Sequence, residues 1–357
     1  VLQQSGLIER ALSLLTQRGR ALPPAIVGLG GLLGATTGVA GASVTSLGLL
    51  TLPQLLKGGM SPSAASGLVA ASGTLGQLIP PSVVLLVLAD QVSQHYSAAQ
   101  YKAGNFAPDP VTSDALFLAA LVPSAVLILL YGGWALWLGR KLAGGQQAKT
   151  SIDWPAWLSV AALLALALSV LGSILLGLCT TNEAALLGLF LALLFSAPKL
   201  WRTLQPAMLR ALELTAVIFF VIFGAIVFSL SLKILGADVL IRDWLALASG
   251  GDPRTGLMLV LLIMFVLGFF FEFLEVLLIT LPAVGPVLFA SDIDPIAVAV
   301  LMALVLQTSF LTPPFGLSLF YLKSVAPPEI TSRALYSGVW VFVTCQLAVL
   351  VGCWWFL

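Results

Sequence analysis

The sequence predicts an all-α polytopic membrane protein made of two inverted repeats, each with a re-entrant helical hairpin and a broken transmembrane helix. Three observations lead to this fold class. The composition is strongly apolar, two helical runs each end in a double proline, and a glycine- or proline-punctuated apolar segment precedes each run. Irregular backbone at membrane depth is tolerated only inside protein, so breaks of this kind mark specialised sites.

Composition excludes a soluble domain. Of 357 residues, 59% are hydrophobic and 9% charged, and the mean hydropathy is +1.07. Ordinary globular domains carry roughly 25% charged residues. Runs such as 115–138 and 157–178 are long enough to cross a bilayer core. With a net charge of +1 and no basic patch, we expect a lipid bilayer around the chain and no nucleic-acid partner.

The double prolines share one template. Eighteen positions separate Pro62 from Pro80, and eighteen separate Pro295 from Pro313, the first proline of each pair. Proline removes an N–H and clashes with the preceding turn, so two in succession leave several carbonyls without helical partners. One such break in each half of a chain is typical of repeat-built secondary transporters.

The remaining elements follow in order along the chain. The predicted segments are an amphipathic arm in 1–20, the first hairpin at 21–56, the first broken helix at 61–89, a polar loop at 91–112 within a loop-and-scaffold region 91–211, a scaffold helix and second arm in 212–255, the second hairpin at 256–290, the second broken helix at 294–322, and a final transmembrane helix in 324–357. Single spans are expected at 113–138, 155–178, 183–197, 212–234 and 334–357.

Charge supports an inverted arrangement of the two hairpins. If the first arm is cytoplasmic, alternating the spans places 12 of the 16 basic residues on the cytoplasmic side. Lys102, Lys233, Arg242 and Arg254 are the exceptions. This is the positive-inside bias expected of a membrane protein, and it puts the hairpins on opposite sides. Because the chain starts at Val1 without a signal peptide, we expect further helices before it in the full protein.

Polar residues cluster around both breaks and are candidate ligands for a cation and a substrate. Those of the first break are Ser72, Gly73, Thr74, Gln77 and Pro80, and those of the second are Gln307, Thr308, Ser309, Thr312 and Pro313. Carbonyls freed near the midplane can coordinate a cation, and half-helix ends can address charged groups. The alternative is a kinked packing helix whose hydroxyls bond back to its own backbone.

The hairpin tips offer a second set of candidates. In the first hairpin, Thr36, Thr37 and Gly38 supply hydroxyls and accessible carbonyls, unless the glycines there serve only close helix packing. In the second, Glu272 and Glu275 lie in an apolar run, where a carboxylate is costly and indicates function. This pair is suited to binding a cation, carrying a proton, or holding the tip through backbone N–H groups. Glu183, by contrast, fits a structural helix N-terminus.

The sequence lacks the residues that ATP hydrolysis, metal binding by histidine and enzymatic catalysis require. The sequence contains no phosphate-cradling glycine loop with a Walker lysine and no nucleophile–base arrangement, so the chain does not hydrolyse ATP. One histidine and three scattered cysteines exclude a His-based metal site and a disulfide framework. No catalytic residue and no bound cofactor is expected. An intramembrane enzyme, which needs paired aspartates or a His-rich motif, is disfavoured, and a channel has no use for inverted hairpins.

Several stretches resemble the large membrane subunit of tripartite ATP-independent periplasmic (TRAP) transporters. They are GLLGATTGVAGAS, ASGTLGQLIPPSV, TTNEAA, GFFFEFLEVLLITLP and LQTSFLTPPFGLSLFYLKSVAPPEIT, and they extend over nearly the whole chain. Two departures stand out. TTNEAA replaces a usual proline-containing turn, and Glu272 stands where aspartate is common.

The resemblance implies a sodium-coupled elevator carrier in the bacterial inner membrane, with an ion-transporter-like fold. A transport domain of both hairpins and both broken helices would slide against a scaffold enlarged by a small membrane subunit. A periplasmic binding protein would deliver a small organic acid. The implied sodium sites lie between each hairpin and its broken helix, at 36–38 with 72–80 and at 272–275 with 307–313. A stand-alone sodium/divalent-anion symporter, needing no binding protein, is the alternative.

Overall fold

The computed structural model describes residues 10, 19–37, 40–141, 154–196, 200–290 and 293–356. A short 3₁₀ turn at Gly19–Ala21 leads into the helices. Their bounds are α1 Leu22–Thr37, α2 Ala40–Lys57, α3 Pro62–Thr74, α4 Val83–Lys102, α5 Ser113–Lys141, α6 Trp154–Leu175, α7 Thr181–Phe195, α8 Leu200–Ile234, α9 Ala237–Ser249, α10 Pro253–Leu267, α11 Phe273–Leu288, α12 Pro295–Leu311, α13 Leu317–Val325 and α14 Ser332–Trp355. The predicted all-helical class is confirmed over this part of the chain.

Helix starts follow signals that are local in sequence. α3 begins with Ser61 as N-cap and Pro62 in its first turn, and α12 begins with Asp294 and Pro295 in the same positions. The Ser61 hydroxyl accepts from the Ala64 N–H at 3.3 Å, and the Asp294 carboxylate accepts from the N–H two residues on at 2.9 Å. Proline suits the first turn because its missing N–H would have no helical partner there.

Glu183 has the structural role expected from the sequence. The Thr180 N–H donates to its carboxylate at 2.8 Å, and the Glu183 N–H contacts the Thr180 hydroxyl at 3.4 Å, which completes a capping box at the start of α7. A carboxylate is favourable at this position because of the positive end of the helix dipole. The TTNEAA stretch therefore starts a helix.

Four helices of the described chain are long and apolar enough to cross a membrane. They are α5, most of α6, residues 204–232 of α8, and α14. α9 and α10 together make a fifth candidate, bent by 116° at the break between them. Shorter apolar helices include Pro295–Leu311 and Phe273–Leu288. The protein is a multi-pass membrane protein, and this bent pair is a candidate for a broken or re-entrant element.

The helices around the two double prolines form one packed body. We call α1 with α2 the first hairpin and α10 with α11 the second, since the two helices of each pair contact each other across a short connection. α3 packs against both helices of the first hairpin and against α14, and α12 packs against α10, α5 and α14. A Cβ placed on Gly338 of α14 would lie 1.9 Å from the Ser63 carbonyl oxygen, so these two backbones touch.

α6 to α9 lie at the edge of this body. α6 packs mainly on α7, with smaller contacts to α1 and α5, while α8 contacts α11 and α9. Only 6% of the apolar window of α8 is buried, against 39% for α5. In a bilayer an apolar helix with so little protein contact faces lipid or another chain, so α8 is peripheral and α5 is central.

The polar loop predicted at 91–112 is wrong over its first half, because α4 continues to Lys102. Its polar residues still alternate with buried ones, such as Ala99. The extension packs on α11: the Gln100 side-chain amide donates to the Phe289 carbonyl at 3.0 Å, and the Tyr96 and Phe289 rings meet edge to face at 6.0 Å. These long-range contacts keep helical a stretch whose polarity by itself indicates a loop.

α8 also begins earlier than the predicted span 212–234, at Leu200. The added segment consists mostly of good helix formers and carries an ion pair between Arg210 and Glu213 at 2.8 Å, one turn apart. Both side chains are exposed, so the pair contributes little to stability. The first predicted arm, by contrast, lies almost entirely outside the described residues.

Candidate functional site

The first break interrupts a fully buried helix. α3 ends at Thr74, a 3₁₀ turn covers Leu75–Gln77, and Pro80 and Pro81 follow before α4 begins. The Leu75 carbonyl accepts from two N–H groups, those of residues 78 and 79, each at 3.2 Å. Every side chain from Ala65 to Leu78 on this run is buried. The break therefore places irregular backbone inside protein, where such backbone is tolerated.

Hydroxyls satisfy several carbonyls that the break frees. Ser82 donates to the Gln77 carbonyl at 2.8 Å, and Ser124 of α5 donates to the Leu78 carbonyl at 2.9 Å. Thr74 donates back to the Ala71 carbonyl at 2.9 Å. This pattern is the one that the structural alternative anticipated for Thr74. Two further buried oxygens, Ser72 Oγ and Gln77 Oε1, have no hydrogen-bond partner among the described residues.

The first hairpin is pressed onto this break backbone to backbone. A Cβ on Gly34 would lie 2.0 Å from the Gly76 Cα, and one on Gly30 would lie 2.3 Å from the Ser72 carbonyl oxygen. On the other side, a Cβ on Gly73 would lie 2.8 Å from the Val44 Cα. Glycines are required at these positions because real Cβ atoms do not approach backbone atoms so closely. The first hairpin and the first break thus meet backbone to backbone.

Thr36 and Thr37 are the last two residues of α1, two and three positions beyond Gly34. Gly38 lies outside the described residues. The predicted ligands Thr36 and Thr37 therefore follow directly after Gly34, the residue at which α1 contacts the first break.

The second break begins where α12 ends. Thr312 takes an extended backbone conformation, Pro313 and Pro314 follow, and Gly316 has a φ of +46° that favours glycine before α13 starts. Ser318 of α13 donates to the carbonyl of Phe310. The broken ends of the two half-helices are therefore tied to each other across the prolines.

Most predicted ligands of the second break bond to their own helix. Thr308 donates to the carbonyl of residue 304 at 2.7 Å, Ser309 to that of residue 306 at 2.8 Å, and Thr312 to the Thr308 carbonyl at 2.7 Å. Gln307 differs. It is completely buried, and neither its Oε1 nor its Nε2 has a partner in the part of the chain that the structure describes. A buried polar group without a partner costs about 1–3 kcal/mol, so this amide is a candidate for contact with a ligand.

The second hairpin meets this break through one glycine. A Cβ on Gly268, just after α10, would lie 2.1 Å from the Ser309 hydroxyl oxygen. After this turn, Glu272 is the N-cap of α11 and Glu275 is its third residue. The two form a capping box in which the Glu272 N–H donates to the Glu275 carboxylate at 3.1 Å. Of the three roles predicted for the pair, this contact corresponds to holding the hairpin tip through backbone N–H groups.

The carboxylate of Glu272 has one long-range partner. The Tyr321 hydroxyl of α13 donates to its Oε1 at 3.0 Å. Glu272 is exposed, whereas Gln307, Thr308 and Ser309 are completely buried. Glu272 therefore forms hydrogen bonds with Glu275 of α11 and Tyr321 of α13.

Sequence reasoning missed Tyr321, Ser82, Ser124 and Ser318. Ser82 and Ser318 closely follow the double prolines, so their proximity to freed carbonyls was available as a signal. Ser124 lies 46 residues from its acceptor, and Tyr321 lies 49 residues from Glu272. For these two, only the packing of α5 and α13 brings the partners together.

Two broken helices, each packed against a helical hairpin in a multi-pass membrane protein, are typical of membrane transport proteins. The particular family follows from comparison with known proteins. All 357 residues match the family described as "Tripartite ATP-independent periplasmic transporter, DctM component". The chain belongs to this family, and it is a transporter permease component, not an enzyme.

The chain is similar to several curated permease proteins over about two thirds or more of their length. The chain is 27% identical over 333 residues to the C4-dicarboxylate TRAP transporter large permease protein DctM of Rhodobacter capsulatus, covering 90% of this chain and 73% of that one. It is 29% identical over 308 residues to the sialic acid TRAP transporter large permease protein SiaM of Vibrio cholerae, covering 85% and 68%. The 2,3-diketo-L-gulonate TRAP transporter large permease protein YiaN of Escherichia coli is 24% identical over 329 residues, covering 90% and 72%.

Proposed function

We propose that this chain is the large membrane subunit of a sodium-coupled secondary transporter that imports a small organic acid by an elevator mechanism. In this proposal a periplasmic binding protein delivers the substrate, and a small membrane subunit completes the permease in the bacterial inner membrane. The observation that carries the proposal is that a helical hairpin packs against each of the two double-proline breaks, at Gly34 and at Gly268.

Reciprocal contacts support an inverted repeat of these elements. α2 packs on α13 while α11 packs on α4, and α14 packs on α3 while α5 packs on α12. Suppose the first hairpin is exchanged for the second, the first broken helix for the second, and α5 for α14. The contact of α2 with α13 then becomes that of α11 with α4, and the contact of α14 with α3 becomes that of α5 with α12. Such reciprocity is expected of a two-fold axis in the membrane plane, and it agrees with hairpins that enter from opposite sides.

The same contacts suggest which parts move together. α5 and α14 pack on the broken helices, and the Tyr131 and Phe342 rings meet edge to face at 4.9 Å between them. We therefore place α5 with the moving body, whereas the sequence assigned it to the scaffold. α6 to α9, which pack at the edge, would form the scaffold. An elevator needs such a division, because a rigid body slides only if its own contacts are stronger than those to its frame.

Buried oxygens without partners support a sodium site at each break. Ser72 Oγ and Gln77 Oε1 at the first break, and Gln307 Oε1 at the second, lack hydrogen bonds within the described residues. Hard cations prefer neutral or charged oxygen ligands of this kind. Thr74, Thr308, Ser309 and Thr312 keep free lone pairs while donating to their helices, so they remain available as ligands. Sodium here is a transported ion.

The substrate class comes from the named relatives and from charge. Those relatives are named for C4-dicarboxylates, sialic acid and 2,3-diketo-L-gulonate, all organic acids. The hairpins and broken helices at 21–89 and 256–322 contain no arginine. A substrate carboxylate would therefore meet hydroxyls, backbone N–H groups or bound sodium. Its identity would be selected largely by the binding protein.

Uptake into proteoliposomes tests the proposal. The vesicles would contain this chain with its small membrane partner, and the assay would add a genome-neighbour binding protein loaded with candidate organic acids, with and without an inward sodium gradient. Uptake that needs both sodium and the binding protein is expected. Sodium-driven uptake without the binding protein would favour the stand-alone symporter. Uptake that ignores the sodium gradient would overturn the sodium coupling.

A further inference from the structure

Tyr321, in the middle of α13, touches both hairpins. Its hydroxyl donates to Glu272 of the second hairpin at 3.0 Å. Its ring lies over Gly41 in the first turn of α2, where a Cβ would come within 3.0 Å of two ring carbons. One side chain thus connects the region near the first hairpin's tip with the start of α11. Neither contact involves the buried, unpartnered oxygens proposed above as sodium ligands.

Both ends of this connection are held in place. At Glu272, the backbone N–H donates to the Glu275 carboxylate at 3.1 Å in the capping box that starts α11, so the residue that accepts from Tyr321 is held at the N-terminus of this helix. At Gly41, the absence of a side chain lets the ring sit against the backbone of α2. A half-buried tyrosine with its ring packed and its hydroxyl bonded has little rotamer freedom left, so it transmits a displacement of one hairpin to the other.

We propose that Tyr321 is a latch between the two hairpins: its ring seats on the first at Gly41, its hydroxyl holds the second at Glu272, and the hairpin tips separate only when that hydrogen bond breaks. Tyr321 is then a positioning residue that acts through Glu272. The proposal builds on the proposed function, in which separation of the tips admits sodium and substrate to the breaks.

Removing the hydroxyl should favour separated tips by about three- to tenfold. A tenfold change corresponds to about 1.4 kcal/mol, which is near the lower end for a hydrogen bond to a charged acceptor, as expected for an exposed pair. Tyr321→Phe keeps the ring on Gly41 and removes only this bond. Tyr101→Phe makes the same chemical change at an exposed tyrosine at the end of α4 and serves as the control.

The first measurement needs no transport. Ser43, two residues from Gly41, is 1% exposed. Ser43→Cys, in a chain whose three native cysteines are replaced by alanine, would report separation as the rate of labelling by a small maleimide. Tyr321→Phe should raise this rate about three- to tenfold, and Tyr101→Phe should leave it unchanged. Hydrogen exchange of the backbone amides of 40–47 in the otherwise native chain gives the same information if Ser43→Cys does not fold.

A double-mutant cycle tests whether the hydroxyl acts through Glu272. On a Glu272→Ala background, Tyr321→Phe should have no further effect on labelling or exchange. Gly41→Ala should raise both in the native chain, because its Cβ displaces the ring, and much less when Tyr321→Leu removes that ring. Equal effects of Tyr321→Phe with and without Glu272→Ala would overturn the latch, as would unchanged labelling and exchange.

Transport then separates the latch from the proposed function. With the binding protein present, Tyr321→Phe should raise the sodium concentration for half-maximal uptake about three- to tenfold and leave the maximal rate near that of the native chain. A fall in maximal rate with unchanged sodium dependence contradicts this positioning role. Uptake that ignores sodium, together with faster labelling in Tyr321→Phe, would reject sodium coupling and retain the latch.

Discussion

The two double-proline breaks differ in how their hairpins cover them. At the first, backbone meets backbone, as at Gly34 with Gly76, and the described contacts involve no charged side chain. At the second, one glycine, Gly268, meets the Ser309 hydroxyl, and the helix that follows begins with Glu272 and Glu275. The rings of Phe270 and Phe315 meet near this break in a tilted arrangement, with centroids 4.8 Å apart, and both side chains are exposed.

This difference separates a rigid contact from an adjustable one. Backbone atoms cannot move aside by changing rotamer as side chains can. The first hairpin therefore cannot shift relative to its break without breaking these close contacts. A hydroxyl and two carboxylates can reorient, so the second hairpin can move while keeping polar partners. We infer that the first hairpin moves with its broken helix as one piece and that the second carries the conformational freedom.

The largest effect is expected from a single methyl group at the first contact. Gly76→Ala or Gly34→Ala would place a Cβ within about 2 Å of backbone carbon atoms. Overpacking usually costs 1–3 kcal/mol, and here no side chain can yield, so we expect more than about 3 kcal/mol. Little folded protein should remain, as measured by size-exclusion chromatography after heating in detergent.

Gly28→Ala provides a matched control in the same helix. A Cβ at Gly28 has no described atom within 4 Å. Alanine is the better helix former, by roughly 1 kcal/mol, so this variant should be as stable as the native chain or slightly more stable. If Gly34→Ala folded as well as Gly28→Ala, the first contact would be looser than described.

The second largest effect concerns the buried amide of the second break. Gln307→Leu removes two unsatisfied polar atoms at nearly constant volume, so the unfolding temperature in sodium-free detergent should rise by about 2–4 °C. If Gln307 binds the ion or the substrate, sodium-driven uptake should fall at least about tenfold in the same variant. A more stable protein that transports less is the outcome that assigns a functional role to this residue.

Gln346→Leu is its control on α14. Gln346 is also completely buried, close to the Tyr131 hydroxyl but without a hydrogen bond of normal geometry to any described residue. Stability should rise similarly, and uptake should stay near the native level. Equal loss of uptake in both variants would mean that apolar substitution impairs the moving body in general.

A third effect compares neutral and charged ligands. Glu272→Gln keeps an acceptor for Tyr321 and removes the charge, and Thr74→Val removes one hydroxyl at the first break. We expect the sodium concentration for half-maximal uptake to rise in both, about tenfold or more for Glu272→Gln and about threefold for Thr74→Val, because a charged ligand binds a cation more strongly. Normal sodium coupling in Glu272→Gln would exclude a charged ligand, and unchanged sodium dependence in Thr74→Val would remove Thr74 from the site.

The smallest effect tests the adjustable contact directly. Gly268→Ala would bring a Cβ within 2.1 Å of a serine hydroxyl that can rotate away. We expect a loss of about 1–2 kcal/mol in stability, well below that of Gly34→Ala. Adding Ser309→Ala should restore part of it, as measured by thermal unfolding of the single and double variants. No recovery would show that the Gly268 contact is as rigid as the first one.

Local signals made much of the fold predictable. Ser61 with Pro62 and Asp294 with Pro295 start helices, and α12 ends two residues before Pro313, because caps and missing N–H groups act within one turn. α3 ends at Thr74, six residues before Pro80, so the prolines predicted the break but not the end of this helix. Apolar composition likewise predicted four of the five single spans. The fifth, predicted at 183–197, is the 15-residue helix α7, which is shorter than the helices that can cross a membrane. The prediction of a loop at 91–112 was wrong over its first half because a polar sequence indicates only exposure to solvent. The exposed face of a helix that packs on α11 is as polar as a loop.

Tertiary packing decided the rest of the candidate site. The sequence named Ser72, Gln77 and Gln307 among many polar residues, but their lack of partners depends on neighbours from distant helices. The sequence did not single out Tyr321, since a tyrosine in an apolar run looks like packing. By itself, the chain's local chemistry determined where helices start, break and cross the membrane. Only contacts between distant segments decided which oxygens are left without partners and which hairpin can move.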